Sequence, residues 1–364
     1  MKILITGGGT AGHVNPAISI ANEFKRRNKK NIIKYVGLKK GIECEIAKKE
    51  GYEFLGIEAS GIQSRKIISL IKTIFKVLLG IVQSFIIVIK EKPDIVIGTG
   101  GYVSFPLVYI AQLLGTRTYV HEQNAFPGRT NLKLFVKVNK FFVSHKDTKK
   151  IDLSLEKVVY SGNPIKKEFT TMDREKSRKK LECKDEVLNV ISLGGSGGAR
   201  KVNDLMLEII KSFSGNENVR ITHITGRSYY ERFKKIMLSE NLKFEKNIEI
   251  LPYTYELPYY FNAYDLVISR AGAGAISELE ACGIPAIIIP SPNVKDNHQE
   301  FNANSLKEKG SAIVILEKDM VYVNIINMIK NFSIDRTSIN KYKSAKIEDV
   351  NAAKVIVDTI LNDR

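Results

Sequence analysis

At 364 residues, with 44% hydrophobic and 26% charged side chains, the chain is long enough for two domains with cores of their own, and its composition excludes a disordered or fibrous polypeptide. Cys44, Cys183 and Cys282 are scattered and lack metal-ligand spacing, so they read as reduced thiols of a cytosolic protein, and no signal peptide is expected. The net charge of +17 is uneven: residues 1–163 hold 26 Lys and Arg against 12 Asp and Glu, whereas the rest of the chain is nearly balanced. A general bias toward lysine would spread evenly. The asymmetry calls for an acidic partner of the first half, whether phosphorylated substrate, nucleic acid or anionic membrane surface.

In chain order, short apolar runs predict strands at 2–6, 32–36, 94–98, 117–120 and 140–143, with helical stretches between them. The strand KVVY precedes SGNPI at 161–165, where Asn-Pro marks the best domain boundary. The rhythm then repeats, with strands at 188–193, 219–224, 247–251, 265–269 and 285–289, and a terminal helix near 345–361. Alternating strands and helices predict an α/β protein with two doubly wound parallel sheets. The segment 67–90 is a separate case. Its small or polar positions (69, 72, 73, 76, 80, 83 and 84) fall in one arc of about 120°, leaving about 240° apolar, where a surface helix needs only about 100°. Either the surplus meets lipid, with Arg65, Lys66, Lys72, Lys76 and Lys90 at anionic headgroups, or the segment is buried as one helix or as two broken near Gly80.

Glycine-rich loops follow the first strand of each half. Gly7, Gly9 and Gly12 satisfy G-x-G-x-x-G, but the second strand ends in KYVGLKK and offers no acid for a ribose, which disfavours a nicotinamide cofactor. His13 stands at the helix start after this loop, as a general base or as a packing residue. GTGGYVS (98–104) and HEQN (121–124) are loops at strand C-termini, where open α/β sheets bind ligands. GGSGG (194–198) suits either a phosphate cradle or a nucleophile elbow, with Ser196 as nucleophile and Asp296 or His298 downstream. After Arg270, a small-residue helix start offers N–H groups to a diphosphate. Glu278 on that helix is either a ribose ligand or an exposed carboxylate. D-x-D, a P-loop lysine and a His/Cys cluster are all missing from the sequence, so no metal or cofactor is expected. Leaving-group charge would fall to helix N-termini and to Lys166 or Arg270.

GGGTAGHVNPA, GTGGYVS, HEQNAFPG, SGNPI, LGGSGGAR, ISRAGAGAISEL and KDNHQEFNA occur in the order and near the spacing of the MurG family, which the chain resembles over essentially its whole length. These are bacterial N-acetylglucosaminyltransferases that convert lipid I to lipid II in peptidoglycan synthesis. The resemblance implies a GT-B fold. Residues 1–163 would form an acceptor- and membrane-facing Rossmann-like domain on which 345–364 packs back, and 164–344 would bind UDP-N-acetylglucosamine. It implies His13, or Glu122, as the catalytic base. Donor contacts would come from Thr10, Ala11, Gly12, Asn124, Lys166, Ser196, Gly197, Thr254, Ala273, Gly274, Ala275, Ile276, Ser277, Glu278 and Gln299. Gly101, Tyr102, His121 and Asn124 would meet the acceptor. The implied partners are UDP-N-acetylglucosamine, lipid I, the anionic inner-membrane surface and the cell-wall or division machinery, with no nucleic acid. The implied location is peripheral, on the cytoplasmic face of the cell membrane. The sequence departs from the family pattern at Lys166, which replaces an arginine and forgoes bidentate contacts, at Ala275, which replaces a hydroxyl, and at His298, which replaces a glutamine. Other readings left open are a UDP-N-acetylglucosamine 2-epimerase and a basic nucleic-acid-binding protein.

Overall fold

The computed structural model describes residues 1–61, 67–240, 242, 245–294, 297–346 and 352–363; Arg65, Lys66, Asp296 and residues 347–351 of the terminal segment lie outside them. The chain forms two compact units, Met1–Lys166 with Asn351–Arg364, and Lys167–Val350.

The first unit alternates β1 (Lys2–Thr6), α1 (Ala11–Arg27), β2 (Ile32–Leu38), α2 (Ile42–Lys49), β3 (Glu53–Ile57), α3 (Ile67–Glu91), β4 (Ile95–Gly98), α4 (Ser104–Leu113), β5 (Arg117–Glu122), α5 (Arg129–Leu134), β6 (Lys140–Val143) and β7 (Val158–Tyr160). All strand pairs are parallel, in the order β3-β2-β1-β4-β5-β6-β7. Strands such as Ile95–Gly98 are buried along their whole length, as a sheet covered on both faces requires. The switch in strand order lies between β1 and β4, and the register Thr6↔Gly98 brings their C-terminal ends level. The loops that follow therefore leave the sheet side by side.

The second unit holds α6 (Glu168–Thr171), α7 (Arg174–Lys180), β8 (Leu188–Leu193), α8 (Arg200–Phe213), β9 (Val219–Ile224), α9 (Tyr230–Ser239), β10 (Ile248–Leu251), α10 (Leu257–Ala263), β11 (Leu266–Ser269), α11 (Ala273–Cys282), β12 (Ala286–Ile288), α12 (His298–Glu308), β13 (Ala312–Val314) and α13 (Tyr322–Ile334). Its sheet is again parallel, ordered β10-β9-β8-β11-β12-β13, with the switch between β8 and β11. Val202, Leu205, Met206, Ile209 and Ile210 of α8 lie against Val190, Ile221, Ile268, Ile325 and Ile329 in one buried cluster. Each such side chain contributes about 1.5–3 kcal/mol on burial. The last helix, α14 (Ala352–Asn362), belongs to the first unit. Asp358 pairs with Arg27 at 2.6 Å, and Asp363 accepts from Tyr119 Oη at 2.8 Å.

Helix α3 is continuous through Gly80, with no break. A Cβ at Gly80 would collide with the Glu58 carbonyl oxygen, so the glycine serves close packing. Ser84 is buried, Gln83 Oε1 accepts from Glu58 N–H at 2.6 Å, and Lys76 lies 3.9 Å from Glu58. Much of the small and polar arc thus faces the protein. Ile71, Ile74, Phe75, Leu78, Val82 and Ile86 are each more than half exposed. Small residues let the backbones approach, and the broad apolar arc is left outward.

Candidate active site

In the first unit, the loops after β1, β4 and β5 converge. Thr99 N–H donates to Thr6 O at 2.9 Å, and Thr99 Oγ1 donates to His13 O at 2.7 Å. The His13 ring is half-buried in the first turn of α1, with Nδ1 3.0 Å from Gln123 Oε1 and 3.2 Å from Thr99 O. Among the described residues nothing bonds its Nε2. Gly100 and Gly101 have φ of +100° and +76° and wrap the ring, and a Cβ at Gly100 would lie 3.0 Å from His13 Nδ1. Thr10 and Gly12 are exposed and Ala11 is half-buried at the start of α1, where Thr10 makes no side-chain cap. Pro16 lacks the N–H that would bond the Gly12 carbonyl. Tyr102 is exposed at the loop edge and covers Gly9. Its phenol is raised by partial burial and by the charge of Glu43.

Two expectations change here. Glu122 is buried, with both carboxylate oxygens occupied: Oε1 accepts from Asn124 N (2.9 Å) and Nδ2 (3.1 Å), and Oε2 from Gly128 N (2.9 Å) and Asn131 Nδ2 (2.8 Å). It anchors the 123–128 loop and has no lone pair directed at a substrate, so it is not the base. His121 is fully buried, with Nε2 3.1 Å from Gly162 O and Nδ1 3.0 Å from Gln123 Nε2. Burial lowers it to about 4, so it is neutral, and it cannot touch an acceptor. Asn124, half-buried beside it, keeps its place at the loop surface.

The glycine loop after β1 packs against a buried acid. Buried Glu43 of α2 accepts from Leu38 N at 3.1 Å and from Gly9 N at 3.4 Å, and a Cβ at Gly8 would lie 2.6 Å from its Oε1. Its carboxylate thus stands beside the glycine loop, accepting from one loop N–H, that of Gly9. Lys166, in the first unit, donates to Glu50 at 2.6 Å.

In the second unit, Gly195 (φ +87°) and Gly198 (φ +77°) fold the loop after β8. A Cβ on Gly226 would meet Gly198, so the two glycines let the loops after β8 and β9 touch. Ser196 is half-buried and Gly197 exposed. In this unit Ser192 Oγ lies 2.6 Å from His223 Nδ1 in the core, no hydrogen bond joins a histidine to Ser196 among the described residues, and Asp296 of the nucleophile-elbow expectation lies outside them. Around the loop after β10, Tyr253 and Tyr255 meet edge-on at 4.9 Å, and the Arg227 guanidinium lies 4.8 Å from the Tyr253 ring. Thr254 Oγ1 accepts from Glu256 N at 3.0 Å.

Helix α11 starts at Ala273, with Gly274 and Ala275 half-buried in its first turn. Ile276 is a correction: its side chain is in the core, and its N–H donates to Gly272 O at 3.0 Å. The Ser277 hydroxyl donates back to Ala273 O at 3.0 Å, as helical serines do when they pair with their own backbone. Glu278 is buried, so it is not the exposed carboxylate of the alternative reading. Arg270 is also corrected: it donates to the carbonyls of Ile289 and Pro290 and pairs with Glu317, which latches β11 to its neighbours. Gln299 Oε1 accepts from Ser291 N at 2.9 Å. Gln123, Glu43 and Arg227 carry geometry that no sequence motif assigns to them. Only Gln123 had a signal, its place inside HEQN.

Residues 3–143 match the glycosyltransferase family 28 N-terminal domain, and residues 189–360 match the glycosyltransferase family 28 C-terminal domain. The UDP-N-acetylglucosamine--N-acetylmuramyl-(pentapeptide) pyrophosphoryl-undecaprenol N-acetylglucosamine transferase of Thermoanaerobacter sp. (strain X514) is 39% identical over 364 residues, 99% of each chain. The protein of the same name from Clostridioides difficile (strain 630) is 42% identical over 323 residues, 88% of this chain and 78% of that one. Among solved structures, Acinetobacter baumannii MurG aligns with a TM-score of 0.68 at 24% identity, covering 99% of both chains. A UDP-GlcNAc 2-epimerase from Neisseria meningitidis bound to UDP-GlcNAc aligns with a TM-score of 0.70 at 15% identity, covering 100% of both. At such identities the structural likeness bears on the fold, which is GT-B.

Proposed function

The chain belongs to the MurG family of N-acetylglucosaminyltransferases, and from that premise we propose that it moves N-acetylglucosamine from UDP-N-acetylglucosamine to the C4 hydroxyl of the muramyl sugar in lipid I, giving lipid II with inversion at the anomeric carbon. The observation that carries the mechanism is His13, whose Nδ1 is held by Gln123 and Thr99 while Nε2 has no protein partner among the described residues. Nε2 takes the proton of the C4 hydroxyl as that oxygen bonds to the anomeric carbon. The bond to UDP breaks, and its electron pair leaves on the diphosphate. The second unit supplies the donor contacts, from Ser196 and Gly197, Thr254, the Ala273–Ala275 helix start, Glu278 and Gln299. Amide groups at the starts of α8 and α11 stabilise the leaving charge. Thr10, Ala11, Gly12 and Asn124 complete the donor contacts from the first unit, and Gly101 and Tyr102 face the acceptor. Lys166 joins the donor contacts when a diphosphate outcompetes Glu50 for its ammonium. No metal takes part in this reading, so a chelator leaves turnover unchanged.

The exposed apolar face of α3, on a unit rich in lysine and arginine, supports peripheral docking on an anionic membrane surface, where a polyprenyl-linked acceptor resides. Partners in the cell-wall and division machinery are part of the same proposal.

The test is product analysis with UDP-N-acetylglucosamine and a water-soluble lipid I analogue. His13→Ala is expected to lower kcat by at least about 100-fold, and near-normal turnover would remove His13 as base. Consumption of the donor without any acceptor would overturn the transfer reading in favour of an epimerase.

A further inference from the structure

We infer that Gln123 is a positioning residue that fixes the tautomer of His13, and that its own orientation is set by Thr99 and His121. The inference rests on the reading of His13 as the base. It follows from which atoms can donate. The Thr99 carbonyl oxygen can only accept, so the Gln123 atom 2.8 Å from it is the amide nitrogen. That nitrogen also lies 3.0 Å from His121 Nδ1, which must therefore accept. The proton of the neutral His121 ring is then on Nε2, 3.1 Å from Gly162 O, an acceptor that needs it. Ser144 Oγ, 3.2 Å from the same Nε2, donates its own proton to Glu122 O at 2.9 Å and so can accept there too.

With the amide nitrogen placed, Gln123 Oε1 faces His13 Nδ1 at 3.0 Å, and Thr99 O lies 3.2 Å from the same atom. Both neighbours of Nδ1 are acceptors, so Nδ1 carries the proton and the lone pair of the neutral ring is on Nε2. A chain of one-way hydrogen bonds thus runs from His13 through Gln123 and His121 to Gly162. Turning the Gln123 amide over would set two oxygens against each other at Thr99. His121 and Gln123 are buried, so water does not offer the chain an alternative partner. Because the orienting group is a neutral amide, it selects the tautomer without adding a negative charge that would hold His13 protonated. The other titratable groups around the relay are His145 after β6, Glu122 with its oxygens occupied by the 124–131 segment, and Glu43 and Tyr102 at the glycine loop.

The test uses the full chain. Histidine-selective nitrogen NMR of the wild type is expected to show His13 with its proton on Nδ1 and His121 with its proton on Nε2; a proton on His13 Nε2 overturns the proposal without any variant. Gln123→Met is expected to lower kcat roughly 10- to 100-fold with little change in the KM for the donor, and to mix the His13 tautomers. Gln123→Glu keeps an acceptor at Nδ1 but sets its second oxygen against Thr99 O and His121 Nδ1, so it is expected to lower kcat rather than restore it. Normal kcat and an unmixed tautomer in Gln123→Met, with His13→Ala inactive, overturn the relay while leaving His13 as the base. An active His13→Ala overturns the base reading itself.

Discussion

At the scale of single residues, the fully occupied carboxylate of Glu122 separates a structural acid from a catalytic one. Its four donors come from Asn124, Gly128 and Asn131. Glutamine in its place would turn an amide NH2 toward one of these donor pairs, leaving donors face to face in a buried site. Glu122→Gln is therefore expected to cost about 2–4 kcal/mol of stability, read by urea denaturation. An unchanged midpoint would show that the carboxylate is not an anchor. Glu43 makes a parallel point. It accepts from Gly9 N in the glycine loop and from Leu38 N, so this buried acid too ties loop to strand.

Among the elements, α3 carries the most consequence. Its inward arc is small and polar because the Glu58 backbone and α4 press close, so few of its large apolar side chains are covered. Burying an exposed side chain of this kind in a lipid interface is worth about 1.5–3 kcal/mol, so Phe75→Glu is expected to weaken binding to anionic phospholipid vesicles at least about tenfold. Folding stability should change by less than about 0.5 kcal/mol, because Phe75 is 66% exposed. Co-sedimentation and thermal melts measure the two quantities. Equal vesicle binding by the variant and the wild type would remove α3 as the docking face.

At the scale of the whole molecule, each unit buries a neutral histidine in its core. Burial lowers His121 to about 4 and His223 to about 3, against about 6.5 in an unfolded chain. Below about pH 6.5 the unfolded chain binds protons that the folded units refuse, so stability falls with pH from there down toward the folded values, and neither group adds pH dependence above it. At pH 5.5 the loss is about 1.4 kcal/mol per histidine, one in each unit. Urea unfolding at pH 7.5 and 5.5 measures it, and a flat response would sink the account.

The alternation of apolar runs with helical stretches, the glycine loops and the place of His13 at a helix start are local properties, and local pattern determined them. The strands at 53–57 and 312–314 are not legible in the sequence because EFLGI and AIV are short and carry weak turn signals, and only pairing with β2 and β12 makes them strands. Within HEQN, polarity marked the segment as functional, but the sequence does not say which side chain faces inward. The C-terminal ends of the neighbouring strands β1, β4 and β5 bring Thr99 and Gln123 to His13 across 86 and 110 residues, and burial turns His121, an expected acceptor ligand, and Glu122, an expected base, into supports. That His13 is a candidate base was readable from its neighbours in the chain. What holds it in one protonation state depends on hydrogen-bond partners that only the folded sheet brings within reach.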